Sequence, residues 1–225
     1  MIAHSEPFFI PEPAFAQLEG NRNLVSEDLI AYEMGYRTQA SDRFAWDIAL
    51  FFNDYSNLTG WQPGTPYWEN TYWVFPRVLE NGWKAQTYGF ELTGQWTMSE
   101  KWQVSASYSF FRMHSQPAEP PYSGPVPEQG CSPPNQAKLK SSWDVGMDWQ
   151  FDLTLRYVDR LARGSVPSYT MMDLRLAWKP SKHFEAALIG RDLLDNHHPE
   201  WRQGVYWWPA NEVPRSIYAQ TTWRY

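Results

Sequence analysis

The sequence predicts an all-β fold: part of an antiparallel transmembrane β-barrel. Three observations lead to this prediction. Apolar and polar residues alternate along most of the chain, the connections between the alternating segments are short and long in turn, and aromatic residues flank the short turns. Alternation with a period of two indicates strands that have one apolar and one polar face. Short turns on one side, long loops on the other and bands of aromatic residues are typical of bacterial outer-membrane barrels.

The alternation defines nine strands. Residues 43–54 are the clearest case, because Phe44, Trp46, Ile48, Leu50 and Phe52 occupy even positions while the odd positions are largely polar. The same pattern predicts eight more strands, around residues 30–36, 88–96, 102–110, 137–143, 149–157, 172–178, 184–188 and 217–225. Nine is an odd number, whereas complete single-chain bacterial barrels have an even number of strands.

The composition favours a membrane-facing sheet over a globular core. Aromatic residues make up 17% of the chain and include 14 Trp, although the mean hydropathy is −0.60. Trp and Tyr concentrate at membrane interfaces. The chain has no apolar run of about eighteen residues, which excludes a transmembrane helix. A net charge of −6, with scattered Lys and Arg, argues against nucleic acid as a partner. The single Cys131 precludes an intrachain disulfide.

The connections and their aromatic residues predict which end of the strands is which. Short turns follow four aromatic residues: Tyr36, Trp96, Trp143 and Trp178. Longer loops, rich in Gly, Pro and Asn, cover residues 56–82, 114–134, 160–168 and 195–212. Short turns of such barrels lie on the periplasmic side and long loops on the extracellular side. Seven residues are predicted to form the membrane girdle on the short-turn side: Phe44, Trp96, Trp102, Trp143, Trp149, Trp178 and Phe184.

A second aromatic residue recurs eight positions from the first on four strands, at Phe52, Tyr88, Phe110 and Tyr157. Eight residues span about 26 Å along a strand, or about 20 Å after the usual strand tilt. This distance is close to the height of the apolar band of a membrane barrel. Leu153 is therefore predicted to lie near the bilayer midplane, and its neighbour Thr154 to face the lumen.

Large aromatic residues also cluster in the predicted long loops, where a receptor meets its ligand. They are Trp61, Tyr67, Trp68, Tyr72, Trp73, Tyr206, Trp207 and Trp208. Rigid rings supply contact area at a small entropic cost, so one interpretation is a ligand-binding surface. The other interpretation is a loop that packs on its own aromatic residues.

Neither a metal site nor an active site is predicted. His197 and His198 are adjacent, and adjacent residues of an extended chain point apart, so a structural role is favoured over a metal site. No cofactor is expected. The Ser, His and Asp residues show no spacing that singles out a catalytic trio, so the chain is predicted not to be an enzyme.

The polar face carries charged residues that are predicted to face the lumen. They are Glu33, Arg37, Asp47, Glu91, Lys138, Lys140, Arg156, Asp173, Arg175, Glu185 and Arg191. Charges in this position line a solute path or form a solvated wall.

Five segments resemble the TonB-dependent receptor family, in the order in which that family has them. They are GNRNLVSEDLIAYEMGYR (20–37), FFNDYSNL (51–58), YGFELTG (88–94), GRDLLDNHHPEW (190–201) and VPRSIYAQTTWRY (213–225). Met34 stands where the family has Leu, and Asp192 where it has Asn. The likeness covers about residues 19–225, and the order of the five segments makes it more specific than any one of them.

The resemblance implies a 22-stranded barrel in a Gram-negative outer membrane, filled by an amino-terminal plug. About nine of those strands would be present here and the plug absent, so the chain is interpreted as a fragment. Residues 1–28 are expected to be an extracellular loop remnant or lead-in, and residues 29–225 the carboxy-terminal part of the barrel. The opening residues lack the pattern of a signal peptide.

The resemblance further implies import of a ferric siderophore or another small nutrient. The expected partners are outer-membrane lipid, the TonB energy-coupling complex acting through the plug, and the barrel-assembly machinery. The assembly signal would consist of Ile217, Trp223 and Tyr225. Two alternatives stay open: a smaller, complete outer-membrane pore or adhesin barrel, and a soluble carbohydrate-binding β-sandwich, in which the alternate apolar residues would face an internal core.

Overall fold

The computed structural model describes residues 3–4, 8–9, 13–118, 130–164, 166–201 and 211–225, whose regular structure is all strand. In chain order the strands are β1 (Ala3–His4), β2 (Phe8–Phe9), β3 (Pro13–Glu19), β4 (Asp28–Ser41), β5 (Phe44–Pro63), β6 (Tyr67–Glu69), β7 (Tyr72–Ser99), β8 (Trp102–Pro117), β9 (Asn135–Val145), β10 (Trp149–Val158), β11 (Tyr169–Ser181), β12 (Phe184–Arg191), β13 (His197–Trp201), β14 (Asn211–Pro214) and β15 (Ser216–Trp223). This part of the chain contains no helix long and apolar enough to cross a membrane.

The nine predicted strands are confirmed as β4, β5, β7 to β12 and β15, and the four short turns that join them in pairs are confirmed as well. The prediction of a loop over residues 56–82 is wrong for most of that range. Strand β5 continues to Pro63 and β7 begins at Tyr72. Strand β7 runs through Pro76, Asn81 and Gly82, residue types that indicate loops when they are read from sequence alone.

Thirteen strands form one sheet, and β13 and β14 form a separate hairpin. The main path is β1-β3-β7-β8-β9-β10-β11-β12-β15; β5 also pairs with β7, and β4 pairs with β5. One pair, β3 with β7, is parallel, with Ala14 opposite Trp73 and Glu19 opposite Val78. This pair was not anticipated in a sheet predicted to be wholly antiparallel. Among the described strands, β4 pairs only with β5 and β15 only with β12, so the sheet is not closed.

The chain divides into two compact units. Unit 1 comprises Met1–Tyr32, Phe52–Thr87 and Met113–Gln129, and unit 2 comprises Glu33–Phe51, Tyr88–Arg112 and Gly130–Tyr225.

In unit 1, hydrogen bonds fix the segment that precedes β4. The side-chain amide of Asn81 donates to the carbonyls of Val25, at 3.1 Å, and Asn57, at 2.6 Å. The carboxylate of Glu27 accepts from the hydroxyl of Thr59, at 2.6 Å, and from its backbone N–H, at 2.7 Å. These two donors lower the pKa of Glu27 below its usual value, the hydroxyl having the larger effect. Glu27 belongs to the segment 20–37 that resembles the receptor family, and these hydrogen bonds give it a structural role.

In unit 2, serine forms three of the four short turns. The hydroxyl of Ser41 accepts the backbone N–H of Arg43 at 3.3 Å, and Ser99 and Ser181 each accept from the residue two positions later at the same distance. A hydroxyl that bonds its own backbone in this way favours a turn over continued strand. The fourth turn contains Gly146 with a φ of 71°, a conformation that glycine adopts without steric cost.

The apolar face of unit 2 is not covered by a second layer of the described chain. Directly opposed residues of an antiparallel pair share a face, and the register places Leu153 opposite Leu174, and Leu176 opposite Leu188. Leu92, Leu176 and Leu188 remain 40%, 42% and 56% exposed. A soluble sandwich buries these positions between two sheets, so the structure contradicts that alternative.

The opposite face of unit 2 carries paired charges and small apolar residues. The guanidinium of Arg175 contacts the carboxylate of Asp152 at 3.0 Å and that of Glu185. Ala177 and Ala187, which oppose each other on β11 and β12, are also buried. The two faces therefore differ as the alternation predicts, one apolar and exposed, the other charged.

Gly89→Ala is expected to destabilise unit 2 by about 1–3 kcal/mol, the usual cost of overpacking. A Cβ at this position would overlap the backbone carbonyl oxygen of Phe110 and lie 2.7 Å from Cζ of Phe51. This crowding explains the first Gly of the YGFELTG segment. The matched control is Gly94→Ala, whose Cβ would meet the Phe44 ring at an ordinary 3.7 Å. Urea titrations of both variants measure the difference, and equal costs would contradict the steric explanation.

Candidate membrane surface and ligand-binding site

All seven residues predicted for the membrane girdle lie on the apolar face of unit 2, beside the short turns. Trp102 opposes Trp143, and Trp149 opposes Trp178. The ring of Phe44 contacts that of Trp96, with centroids 6.2 Å apart. Six of the seven side chains are exposed and Phe184 is half-buried. The structure thus confirms their common face, and their role in a membrane remains a prediction.

The rings form a continuous aromatic row across β10, β11, β12 and β15. Trp178 lies 6.3 Å from both Trp149 and Phe184, and Phe184 lies 5.8 Å from Trp223, measured between ring centroids. Tilted and edge-on contacts of this kind stabilise neighbouring aromatic residues by about 0.5–1.5 kcal/mol each. The row is therefore held in place although it is exposed.

The terminal residues predicted as an assembly signal are also exposed. Ile217 opposes Gly190 and Trp223 opposes Phe184, so both lie on the apolar face of β15. Tyr225 lies two residues beyond the end of the last strand and is fully exposed. Recognition of these residues by assembly machinery stays a prediction.

Five of the eight aromatic residues predicted to bind ligand lie on strands of unit 1, contrary to the loop placement. Trp61 lies on β5, Tyr67 and Trp68 on β6, and Tyr72 and Trp73 on β7. The other three, Tyr206, Trp207 and Trp208, lie outside the described residues.

The register divides four of these aromatic residues between two faces of the sheet. Trp68 opposes Trp73, and their rings meet edge to face at 5.4 Å. Tyr67 and Tyr72 lie on the other face, because they occupy the alternate positions of β6 and β7. Trp68 and Trp73 are exposed, so they form a surface pair, whereas Tyr72 is half-buried.

Strand β3 supplies two contacts that sequence reasoning missed. Phe15 packs edge to face on Tyr72 at 4.9 Å, and the side-chain oxygen of Gln17 accepts the Tyr67 hydroxyl at 2.8 Å. Both tyrosines are therefore partly occupied by contacts within the chain. The signal that could have revealed β3 is the alternation in PAFAQLE, which is short and lies in a segment expected to be a lead-in.

A buried polar cluster lies where β12 turns towards β13. His198 is 3% exposed and Asp192 is 1% exposed, and the imidazole Nδ1 lies 2.9 Å from Oδ2 of Asp192. The two groups are therefore in close contact but do not form a well-aligned hydrogen bond. On the other side of the ring, Nε2 lies 3.6 Å from Oε1 of Glu200, and Tyr169 stacks on the ring at 4.2 Å.

His197 and His198 have different surroundings, as expected for adjacent residues of a strand. His197 is exposed and lies 3.5 Å from Glu212, while His198 is enclosed. Within the described residues no group of three or more His, Cys, Asp or Glu side chains is arranged to hold a metal ion. The cluster therefore consists of contacts within the chain. They join His198 of β13 to Asp192, which follows β12, and to Tyr169 of β11.

Comparison with known proteins shows the family to which the chain is similar. Residues 7–193 match the family described as TonB dependent receptor-like, beta-barrel. The chain is 26% identical over 167 residues to a vitamin B12 transporter of Vibrio vulnificus, covering 64% of this chain and 27% of the transporter.

Solved structures show the same fold at low identity. The chain matches a mutant ferric enterobactin receptor of Pseudomonas aeruginosa, in complex with enterobactin, with a TM-score of 0.68 and 17% identity over 93% of this chain and 33% of that receptor. It matches the pyoverdine outer-membrane receptor of Pseudomonas aeruginosa, bound to pyoverdine, with a TM-score of 0.69 and 17% identity over 92% of this chain and 31% of that receptor. The chain thus spans no more than about a third of these proteins.

The open sheet, whose strands in unit 2 have one exposed apolar face and one charged face, defines the class: a partial, unclosed β-barrel. The family follows from the match over residues 7–193. The chain belongs to the TonB-dependent receptor β-barrel family.

Proposed function

We propose that the chain forms part of the barrel wall of an outer-membrane receptor that binds a scarce nutrient and imports it with energy from TonB. The observation that carries the proposal is the exposed aromatic row beside the short turns, in a chain of this family. In water such a face is a liability to aggregation, whereas lipid and its headgroup interface accommodate it. Outer-membrane lipid is therefore the first partner.

The remaining partners follow from the family. The TonB complex acts through a plug, and the barrel-assembly machinery recognises the last strand through Ile217, Trp223 and Tyr225. The exposure of these three side chains supports the second part of this proposal.

The proposed ligand is a ferric siderophore or a similar small nutrient. Structural neighbours are described as receptors of enterobactin and pyoverdine, and the curated relative as a transporter of vitamin B12. These ligands differ, so the fold does not select among them. In this chain, the surface pair Trp68 and Trp73 is the best placed of the described aromatic residues to contact a ligand, since both rings are exposed and lie together.

Trp68→Ala and Trp73→Ala are expected to weaken binding about tenfold each, because a buried aromatic contact in an interface contributes roughly 1–2 kcal/mol or more. The probes are ferric enterobactin, ferric pyoverdine and vitamin B12, titrated against the chain in detergent micelles with tryptophan fluorescence as the readout. Trp149→Ala, on the membrane surface, is the control and should leave affinity unchanged. Unaltered affinity in both variants for a probe that the chain binds would contradict a ligand site at this pair.

A further inference from the structure

On the polar face of unit 2 the register brings together three cations, two of which have no carboxylate partner in the described part of the chain. Lys138 of β9 stands directly between Ser107 of β8 and Arg156 of β10. Two residues along β9, Lys140 stands between Ser105 and Thr154 in the same way. Lys138, Lys140 and Arg156 are termed the basic patch, and all three are exposed.

Like charges directly opposed across an antiparallel pair destabilise a sheet. Lys138 and Arg156 are such a pair. One carboxylate, that of Glu200, lies 3.8 Å from the Arg156 guanidinium. The guanidinium also donates a hydrogen bond to the sulfur of Met171 at 3.1 Å. In the described part of the chain, neither Lys138 nor Lys140 has a carboxylate within 4.0 Å.

Other cations of the same face have carboxylate partners. Arg175 contacts Asp152 and Glu185, and Lys179 donates to Gln150 at 2.6 Å and lies 4.0 Å from Glu185. Among the described residues, the sheet therefore pairs its cations near the short turns with carboxylates and leaves Lys138 and Lys140 without one, while Arg156 has its single contact with Glu200. Such a contrast within a single face points to a charge supplied from outside the sheet.

A groove of about 380 Å³ passes over two members of the patch, Lys138 and Arg156. The polar residues of its lining include Glu91, Ser107, Ser109, Gln136, Lys138 and Arg156. Serine hydroxyls donate hydrogen bonds to oxyanions, and Lys and Arg are the side chains that bind carboxylate and phosphate groups. Glu91 is the one acidic side chain of this lining, against two cations, so the groove has a net positive charge.

We infer that the basic patch binds an oxyanion, the carboxylate or phosphate group of a small solute, on the polar face of the sheet. The ligand's negative charge removes the repulsion between Lys138 and Arg156, and the hydroxyls of Ser107 and Ser109 complete its hydrogen bonds. Groups of Lys and Arg that line a barrel wall select anions by the same physics. The inference goes beyond the proposed function and is independent of Trp68 and Trp73.

The test uses the full chain in neutral detergent micelles, with inorganic pyrophosphate as the probe and backbone amide chemical shifts as the readout. Saturable shifts are expected at Ser107, Lys138 and Arg156. Lys138→Gln should weaken binding at least fivefold, and Lys138→Gln with Arg156→Gln should abolish the saturable shifts. Lys179→Gln, a neutralised cation of the same face, is the matched control and should bind as the unaltered chain does.

A second measurement keeps the inference falsifiable if a variant alters the fold. Without an anion, Lys138→Gln should raise the urea midpoint, because it removes a like-charge pair, and millimolar pyrophosphate should abolish this advantage. Equal binding by Lys179→Gln and Lys138→Gln, both weakened, would show non-specific attraction and overturn the site. Shifts at the patch with a polyglutamate peptide but none with pyrophosphate would assign it to an acidic protein segment and overturn it as well.

Discussion

His198→Leu is expected to lower the free energy of unfolding of the chain by about 3 kcal/mol, the order of magnitude found when a buried carboxylate loses its polar partner. The Asp192 carboxylate, 1% exposed, would lose the imidazole that lies 2.9 Å away and remain buried without compensation. Leucine fills a similar volume, so little of the loss would come from a cavity. Urea titration in detergent micelles, followed by tryptophan fluorescence, gives the value.

The neighbouring histidine provides the control for this prediction. His197→Leu changes a side chain that is 62% exposed and lies 3.5 Å from an exposed carboxylate, so its effect should be within about 0.5 kcal/mol. Adding Asp192→Asn to His198→Leu should recover part of the loss, because asparagine is neutral and tolerates the φ of 54° at this position. Equal losses for the two histidine variants would mean that burial of the Asp192 pair is not the cause.

Leu153→Arg is expected to destabilise the chain by about 2–4 kcal/mol in lipid vesicles, the cost of a lipid-facing Arg near the bilayer midplane. Leu153 lies on the apolar face, opposite Ser141 on β9 and Leu174 on β11. An arginine there must either enter hydrocarbon or draw water and headgroups towards it.

Thr154→Arg is the matched control, one residue away on the polar face. Thr154 opposes Lys140 on one side and Asp173 on the other, so an arginine there gains one carboxylate neighbour and one cation neighbour. Its expected effect is below about 1 kcal/mol. Unfolding titrations in phospholipid vesicles compare the two variants. A larger loss for Thr154→Arg would reverse the assigned faces and refute the membrane placement.

The tertiary structure decided several features that the sequence left open. Beyond residue 54, Trp61, Gln62 and Pro63 show no alternation, yet they continue β5. Apolar and polar residues alternate only where the two faces of a strand meet different surroundings. A strand whose faces meet similar surroundings lacks this alternation, and its sequence therefore resembles that of a loop. The parallel pairing of β3 with β7 joins residues about sixty positions apart, and no local pattern encodes such a partner.

The candidate sites follow the same division. The girdle residues were identifiable from sequence because aromatic residues recur at fixed positions beside short turns, a local signal. The pairing of Asp192 with His198, and of Lys138 with Arg156, was not identifiable, since each depends on the course of the chain or on the register of two strands. A shift of one residue in the pairing of β9 would place Lys138 on the other face of the sheet.

By itself, the sequence determined that the chain forms nine long strands, where four short turns lie, and which face of unit 2 is apolar, because a period of two is set residue by residue. Only the tertiary structure decided the extent of β5 and β7, the separation of Trp68 and Trp73 from Tyr67 and Tyr72, and which charges are neutralised. These features depend on contacts between strands distant in sequence, whose register emerges when the whole sheet pairs.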